Sequence, residues 1–285
     1  MTINNFAIII GAIKCGTTSL FQYLAEHPEI AACRQKEPKF FNHLFSKGFD
    51  YYQDLWNWNP SIHKVALEGT PSYTRFTTRN PKNAAENIAQ LMASEGTTFK
   101  FIYILRDPIE RIESHYNHAQ QMFSKTKIAS IDEGIDPELI EISMYAKQLE
   151  EYTKRFQKEN ILLLNFEELK EDPLSVLKKV CTFLEIDPNY KFKGLNVVYN
   201  SQEQRREIAF PGHKWLKKSG IKGSISSSLS EEKRQWVRRL IGREREKVKF
   251  SQAQRNRILE VLKDDLIQLR STYGFDVNAW KNIEI

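Results

Sequence analysis

The sequence predicts a single α/β domain over residues 1–285, with a central parallel sheet flanked by helices and a helical C-terminal extension. Two observations predict it. Short apolar runs alternate with longer amphipathic segments along most of the chain, which is typical of parallel sheets wrapped by helices. In addition, no linker rich in proline, glycine or serine interrupts the 285 residues, of which 41% are hydrophobic.

The first element is an apolar strand over residues 6–10, a run that is too short to cross a bilayer. A turn that contains Gly11 and Gly16 follows it. An amphipathic helix is expected over residues 17–26, where Pro28 prevents its continuation. The chain therefore opens with a strand–loop–helix unit.

The later elements continue the alternation. Strands are expected over three further apolar runs, at residues 65–67, 99–105 and 161–166. Helices are expected at residues 81–93, 108–121, 144–156, 174–184, 230–242 and 251–273. Pro108 suits the first turn of its helix, because that position needs no backbone N–H donor. Within the C-terminal third, the segment 218–230 is the expected mobile loop.

Composition and charge indicate an ordinary globular protein. Charged residues make up 27% of the chain and aromatic residues 12%, which excludes wholesale disorder. The net charge is +6, and residues 202–270 hold 18 Lys and Arg against 9 Asp and Glu. This basic region carries no zinc-finger, helix-turn-helix or RNA-recognition pattern. Solvated helix faces are therefore the first interpretation, and no nucleic-acid partner is expected.

Cysteine usage and the N-terminal segment favour a cytoplasmic protein. Cys15, Cys33 and Cys181 lie far apart without metal-type spacing, and an odd number argues against a disulfide framework. No basic residue precedes the first apolar run, so neither a signal peptide nor a membrane anchor is expected. We therefore expect reduced thiols, a cytoplasmic location and no membrane partner, and the oligomeric state stays open.

The most informative segment is the turn after the first strand, Gly11-Ala-Ile-Lys14-Cys-Gly16-Thr17-Thr-Ser. Two glycines between a strand and a helix let backbone N–H groups converge on one anion, and the helix N-terminus adds a favourable dipole. The pattern predicts a phosphate cradle, although a turn that only packs the helix on the strand is the alternative. In a nucleoside-triphosphate P-loop a lysine follows the second glycine directly. Here Thr17 follows it, and Lys14 lies within the loop, where it can contact a transferring group.

A second anion site is predicted where the strand over residues 99–105 ends. Arg106 lies at its carboxyl end, where open α/β sheets bind ligands, and Ser114 lies on the helix that follows. A guanidinium with a nearby hydroxyl suits a phosphate through charge-assisted hydrogen bonds. Taken alone, Arg106 and Asp107 would be interpreted as a surface ion pair. The phosphate loop upstream makes the ligand interpretation preferable.

These segments resemble the donor site of sulfotransferases that use 3′-phosphoadenylyl sulfate (PAPS), in the branch with the heparan-sulfate enzymes and free-standing bacterial members. The resemblance implies a P-loop-like domain, no metal, and sulfuryl transfer that leaves adenosine 3′,5′-bisphosphate (PAP). It implies Arg106 and Ser114 as ligands of the 3′-phosphate, with Lys222 as a weakly matched further candidate. The implied ligands of the 5′-phosphosulfate are Lys14, Cys15, Gly16, Thr17, Thr18 and Ser19.

The same resemblance supplies a general base. The segment 36–41, Lys-Glu-Pro-Lys-Phe-Phe, resembles a motif of the heparan-type branch, which implies Glu37 as the catalytic base. Lys14 would then stabilise charge on the leaving phosphosulfate. A solvated charge cluster is the alternative, because two lysines flank the Glu37 carboxylate. The fallback bases are His43, His115 and His118.

The acceptor is less constrained. Gly69 stands where the heparan enzymes carry a lysine for the sulfate or acceptor, which puts a polysaccharide acceptor in doubt. Eight aromatic residues between Phe40 and Trp58 are interpreted as core and lid packing, with an aromatic-walled acceptor pocket as the alternative. We expect a small-molecule acceptor, a hydroxyl or amine of a metabolite or natural product of secondary metabolism. A carbohydrate or glycan acceptor, a kinase using ATP and magnesium, and a catalytically silent nucleotide-binding module are the alternatives.

Overall fold

The computed structural model describes residues 2–122, 135–195, 207–208, 242–243, 248–281 and 283. The chain divides into two compact units. The first unit comprises Met1–Val197 and Lys249–Ile285, and the second is Val198–Val248. The assignment of residues 1–285 to a single domain stays a prediction.

The first unit is built on a sheet of five parallel strands in the order β2-β3-β1-β4-β5. The strands are β1 (Asn5–Gly11), β2 (Ile30–Ala32), β3 (Val65–Gly69), β4 (Thr98–Leu105) and β5 (Ile161–Asn165). Strand β1 is buried from its second residue onward, because it lies in the middle of the sheet with both faces covered. The predicted parallel sheet flanked by helices is confirmed.

Helices connect and follow these strands, and the predicted C-terminal helix is present. They are α1 (Thr17–Leu24), α2 (Gly48–Gln53), α3 (Ala84–Glu95), α4 (Pro108–Met122), α5 (Pro137–Glu141), α6 (Tyr145–Thr153), α7 (Phe166–Glu171), α8 (Pro173–Leu184) and α9 (Gln252–Tyr273). Short turns of other helical types occur at Phe40–Leu44, Phe45–Lys47, Pro71–Thr74, Lys158–Asn160 and Val277–Ala279. None of the helices in the described ranges is long and apolar enough to span a membrane.

Polar side chains set several helix starts. Asp107 accepts hydrogen bonds from the backbone N–H groups of Ile109 (2.9 Å) and Glu110 (3.1 Å), and so caps α4. Ser251 and Gln254 form a reciprocal capping box at the start of α9. Asn83 caps α3, so that this helix begins at Ala84 rather than at the predicted residue 81.

The start of α6 is capped by a residue from a distant part of the chain. The Asp265 carboxylate on α9 accepts the backbone N–H groups of Ala146 (3.1 Å) and Lys147 (2.9 Å). Burial raises the pKa of Asp265 to about 6. Helix α9 therefore supplies the N-cap that α6 does not supply for itself.

Four points of the predicted secondary structure need correction or fall outside the described residues. The three-residue strand β2 was not predicted, and the strand expected over 161–166 ends at Asn165, whose side chain caps α7. The expected helix over 230–242 and the expected loop over 218–230 lie outside the described residues, apart from Gly242. That glycine pairs in β7 (Gly242–Arg243) with β6 (Glu207–Ile208), an antiparallel strand pair, and not in a helix.

An aromatic cluster fills the core on one side of the sheet. Phe6 stacks on Phe99 with ring centroids 5.0 Å apart, and Phe40 stacks on Tyr52 at 4.5 Å. All four side chains are completely buried. The interpretation of this aromatic-rich segment as core packing is confirmed for its buried members, which are Phe40, Phe41, Tyr52 and Trp56.

Candidate functional site

The candidate site lies where β1 and β4 end. These neighbouring strands connect to opposite halves of the sheet, since β2 and β3 lie on one side of β1 and β5 lies beyond β4. Such a reversal of strand order opens a crevice at the carboxyl ends of the strands, where open α/β folds bind ligands. The loop after β1 and Arg106 after β4 both lie at this edge.

The two loop glycines are required by close packing. A Cβ atom on Gly16 would lie 2.5 Å from the ring of Phe166, and φ at Gly16 is 77°, in the region that favours glycine. A Cβ atom on Gly11 would clash with the Thr74 hydroxyl and would lie 3.0 Å from the Tyr103 ring. The loop is therefore pressed against its surroundings at both ends, which fixes its backbone.

The start of α1 suits an anion. Gly16 occupies the N-cap position without a side-chain cap from the described residues, and the first turn holds no acidic residue. Thr17 is buried, while Thr18 and Ser19 are half-buried. Uncapped N–H groups at a helix N-terminus carry partial positive charge and favour a bound phosphate or sulfate. The donor group implied by the sequence therefore fits these residues.

Lys14 and Cys15 have different environments within the loop. Lys14 is half-buried and has a φ of 72°, an uncommon conformation for a residue with a side chain. Cys15 is fully buried, its backbone N–H donates to the Ala12 carbonyl at 3.2 Å, and burial raises the pKa of its thiol to about 11. Cys15 is therefore a neutral part of the loop interior, and its amide is already used within the loop.

Arg106 joins the loop directly. Its Nη1 donates to the Lys14 carbonyl at 3.5 Å, and its guanidinium lies over the Phe166 ring, 5.0 Å from the centroid. Its Nη2 pairs with Glu110 at 2.6 Å, while its Nε is buried with no hydrogen-bond partner among the described residues. The partner of Arg106 is thus Glu110 and not Asp107, which caps α4, so the simple ion pair suggested by the sequence is wrong.

Of the other two predicted ligands of the 3′-phosphate, only Ser114 is among the described residues. Ser114 lies on α4 one turn after Glu110, on the helix that begins beside Arg106, and is half-buried. A half-buried hydroxyl at this place is compatible with a phosphate ligand. Lys222 lies outside the described residues.

The structure brings the predicted base segment to the start of α1. Lys36 Nζ donates to the Thr18 hydroxyl at 2.6 Å and lies 3.7 Å from the Glu37 carboxylate. Glu37 keeps 37% of its side-chain surface exposed, and its φ is 55°. The segment that carries Glu37 is therefore linked to the phosphate loop helix through Lys36.

Arg111 is a buried cation on α4 that contacts the half-buried His115. Arg111 is fully buried and donates to the Ser143 hydroxyl at 2.6 Å, to the Leu139 carbonyl and to His115 Nδ1 at 3.2 Å. Burial and the positive charge of Arg111 lower the pKa of His115 to about 2. His115 is therefore neutral near pH 7 and is a poor proton acceptor, which weakens it as a fallback base.

This histidine predicts a pH-dependent stability. Because its pKa is lowered on folding, neutral His115 contributes stability above about pH 6.5 that is lost as the pH falls, by about 1.4 kcal/mol per pH unit. Between pH 7 and pH 5 the wild type should lose about 2 kcal/mol more than His115→Asn. Urea unfolding at several pH values measures this difference. Parallel stability curves for the two proteins would contradict the prediction.

Sequence reasoning missed three contacts of Arg106, those with Glu110, Phe166 and Tyr145. Glu110 lies four residues after Arg106, and that helical spacing is a signal for their pairing. Phe166, which contacts both Gly16 and Arg106, carries no such signal because it lies far along the chain. Tyr145 also donates from its hydroxyl to the Arg106 carbonyl at 2.8 Å.

Within the described ranges, no group of three His, Cys, Asp or Glu side chains is arranged to hold a metal ion.

Comparison with known proteins places this site in context. A family model described as the sulfotransferase domain matches residues 5–270. Heparan sulfate glucosamine 3-O-sulfotransferase 3B1 of Mus musculus is 35% identical over 191 residues, covering 62% of this chain and 45% of that protein. The membrane-associated sulfotransferase kil1 of Dictyostelium discoideum is 34% identical over 120 residues, covering 42% and 24%. The matches thus span less than half of these relatives.

A solved structure resembles the whole chain. The sulfotransferase from Alicyclobacillus acidocaldarius has a TM-score of 0.65 and 20% sequence identity, covering 99% of this chain and 100% of that chain. Because the sequence identity is only 20%, this similarity shows a shared fold alone.

Proposed function

The chain belongs to the sulfotransferase family, and from this premise we propose that it transfers a sulfuryl group from PAPS to a hydroxyl or amine of a small metabolite or natural product. The observation that carries the proposal is the contact between the loop and Arg106. It supports two anion-binding positions in one crevice, and PAPS has an anionic group at each end of its ribose.

The residues around the crevice suit the two ends of the donor. The start of α1, with Gly16, Thr17, Thr18 and Ser19, would hold the 5′-phosphosulfate. Arg106 and Ser114 would hold the 3′-phosphate. This phosphate would give an acceptor to the Arg106 Nε, which has no hydrogen-bond partner among the described residues. When bound, PAPS supplies the activated sulfuryl group.

The protein's contribution is positioning, charge stabilisation and proton removal. The Lys14 ammonium would stabilise negative charge on the leaving phosphate oxygen, and the N–H groups of α1 would hold the transferring group in line. The Glu37 carboxylate would take the proton of the acceptor hydroxyl or amine as the new bond forms. The link through Lys36 and Thr18 supports Glu37 in this role, because it brings the carboxylate's segment to the same helix.

Position 69 supports a small acceptor over a long glycan. A Cβ atom on Gly69 would lie 3.2 Å from the Phe21 ring, so a side chain there requires Phe21 to move. The lysine that the heparan enzymes use at this point is therefore missing and is not easily accommodated. A glycan acceptor remains the second candidate, because the curated relatives include heparan sulfate enzymes. A screen over hydroxylated and amine-bearing metabolites and over oligosaccharides, scored by the mass gain of one sulfuryl group, distinguishes the two.

Nucleotide binding tests the donor assignment. By calorimetry, the wild type is expected to bind PAP in the presence of EDTA, and to bind 5′-AMP roughly tenfold to a hundredfold more weakly, because 5′-AMP lacks the group that Arg106 would bind. ATP with magnesium should bind more weakly than PAP. The opposite order would favour the kinase alternative.

A variant pair identifies the residue responsible. Arg106→Gln should weaken PAP binding much more than 5′-AMP binding, so that most of the preference for PAP disappears. Arg79→Gln serves as the control, since Arg79 is exposed and pairs with Asp136. Equal losses for PAP and 5′-AMP in Arg106→Gln would mean that Arg106 does not bind the 3′-phosphate.

A further inference from the structure

Lys36 places an ammonium group at the start of α1, which is an unusual position for a cation. Its Nζ donates to the Thr18 hydroxyl at 2.6 Å, and Thr18 belongs to the first turn of that helix. The N-terminus of a helix carries partial positive charge, so cations favour the opposite end. Among the described residues, neither an acidic side chain in the first turn nor a side-chain cap offsets this charge. The ammonium is therefore unfavourably placed unless an anion binds there as well.

The ion pair with Glu37 does not account for this position. Lys36 Nζ lies 3.7 Å from the Glu37 carboxylate, which is too far for a hydrogen bond, and each side chain keeps 37% of its surface exposed. Ion pairs that remain in contact with water contribute little stability, because each charge is already well solvated. Glu37 alone therefore does not offset the unfavourable position of the ammonium.

The backbone brings the two charged side chains together. In an extended chain, successive side chains point to opposite sides. Glu37 interrupts that alternation with a φ of 55°, although residues that precede a proline, here Pro38, favour negative φ. Strained conformations of this kind persist only where the surrounding structure enforces them, and they cluster at functional sites. We therefore interpret the strain at Glu37 as the result of holding its carboxylate beside Lys36.

The segment that carries this charged pair is anchored on both sides. Before it, the backbone N–H of Cys33 donates to the Leu67 carbonyl of β3 at 2.8 Å. After it, the backbone N–H of Phe41 donates to the Tyr73 hydroxyl at 3.2 Å, in a buried contact with the turn that follows β3. The place of the charged pair is therefore set by the fold around β3 as well as by the side chains themselves.

The ammonium has donors left for a ligand. A lysine side chain carries three N–H groups, and Thr18 accepts one of them. An anionic group held by the backbone N–H groups at the start of α1 would lie beside the Thr18 side chain, within reach of the remaining donors. Hydrogen bonds between charged groups are about twice as strong as those between neutral groups. A bound sulfuryl group would thus offset the repulsion between Lys36 and the helix.

We propose that Lys36 is a second catalytic lysine, whose ammonium binds a terminal oxygen of the transferring sulfuryl group while it stays paired with Glu37. The inference rests on the proposed function and assigns Lys36 a place different from that of Lys14, which acts on the leaving oxygen. In the transfer step the acceptor atom bonds to sulfur while the bond from sulfur to the bridging oxygen breaks. The bridging oxygen leaves with the electron pair, the acceptor proton passes to Glu37, and Lys36 stays protonated.

The kinetic test compares two lysines of one segment. Lys36→Met and Lys39→Met each remove an ammonium that flanks Glu37, but of the two lysines only Lys36 donates to α1. Lys36→Met should lower kcat roughly a hundredfold, the loss expected when one preorganised donor to a developing charge is removed. Lys39→Met is the matched control and should stay within about threefold of the wild type, as exposed substitutions usually do.

A binding test locates the contact without turnover. PAP lacks the sulfuryl group, so calorimetry of PAP and of PAPS without acceptor separates the two ends of the phosphosulfate. Lys36→Met should weaken PAPS binding roughly tenfold, because a hydrogen bond between charged groups is lost. PAP affinity should stay within about threefold of the wild type, which also shows that the variant is folded. Lys39→Met should change neither affinity.

The outcomes separate this proposal from the proposed function. A kcat of Lys36→Met within threefold of the wild type, or equal losses in the two lysine variants, would overturn the role of Lys36. Equal weakening of PAP and PAPS would overturn it as well, because Lys36 would then act at the 5′-phosphate and not at the sulfuryl group. If the wild type transfers no sulfuryl group and Lys36→Met alone loses affinity for PAPS, the proposed function fails while the contact from Lys36 stands.

Discussion

Lys14→Ala should lower turnover by roughly two to three powers of ten, the loss expected when one preorganised positive or hydrogen-bonding group is removed from a transition state. The loss should appear mainly in kcat. Developing charge on the leaving oxygen is larger in the transition state than in the bound donor, so PAP affinity should fall much less. Steady-state kinetics together with PAP calorimetry separates the two quantities.

The backbone conformation at Lys14 makes the effect of this substitution easy to interpret. Its φ of 72° is uncommon for alanine as much as for lysine, so the change leaves backbone strain nearly constant and removes the ammonium. Lys154→Ala is the matched control, because Lys154 pairs with Glu150 and Glu151 on α6. Near-normal turnover in Lys14→Ala would exclude Lys14 from the transfer step.

Glu37→Gln should abolish measurable transfer, with a loss of roughly two to four powers of ten, while PAP binding is retained. Glutamine preserves the shape and hydrogen-bonding capacity of the side chain but cannot take a proton. The Lys36–Glu37 ion pair is partly exposed, so its loss should leave thermal stability within about 1 kcal/mol of the wild type.

The control for this variant is Glu159→Gln, which neutralises an exposed glutamate in the short turn before β5. Initial rates at saturating PAPS give the comparison. If Glu37→Gln keeps substantial activity, the base must be sought elsewhere, with His43 and His118 ahead of His115. The low pKa of His115 sets that order.

Local signals predict much of the fold and fail where tertiary contacts decide. Strand β4 and the start of α9 at Ser251 follow from an apolar run and a capping box, both contained within a few residues. Strand β2 spans three residues, too few for periodicity to register, and it is stabilised by pairing with β3. The boundary at Phe166 depends on the Asn165 cap, which competes with the apolar pattern.

The site divides in the same way. The loop with Lys14 and the strand end with Arg106 could be predicted, because each is a short motif and parallel strands place their carboxyl ends at one edge. The position of the Phe166 ring beside Gly16 and Arg106 could not be predicted, because Phe166 begins α7, far along the chain from both residues. Nor could the hydrogen bond from Phe41 to Tyr73, which depends on packing between segments without a shared motif.

The cap that Asp265 places on α6 determines how short a working fragment of this protein can be. Without α9, the first amides of α6 lose their acceptor, and Tyr145 at the start of that helix loses the support that lets it hold the Arg106 carbonyl. The residues proposed to bind the donor, apart from Lys222, all lie in the first half of the chain, yet they do not make up a self-sufficient module. Truncation from the C-terminal side, by removing α9, should therefore weaken donor binding before it removes any residue proposed to contact the donor.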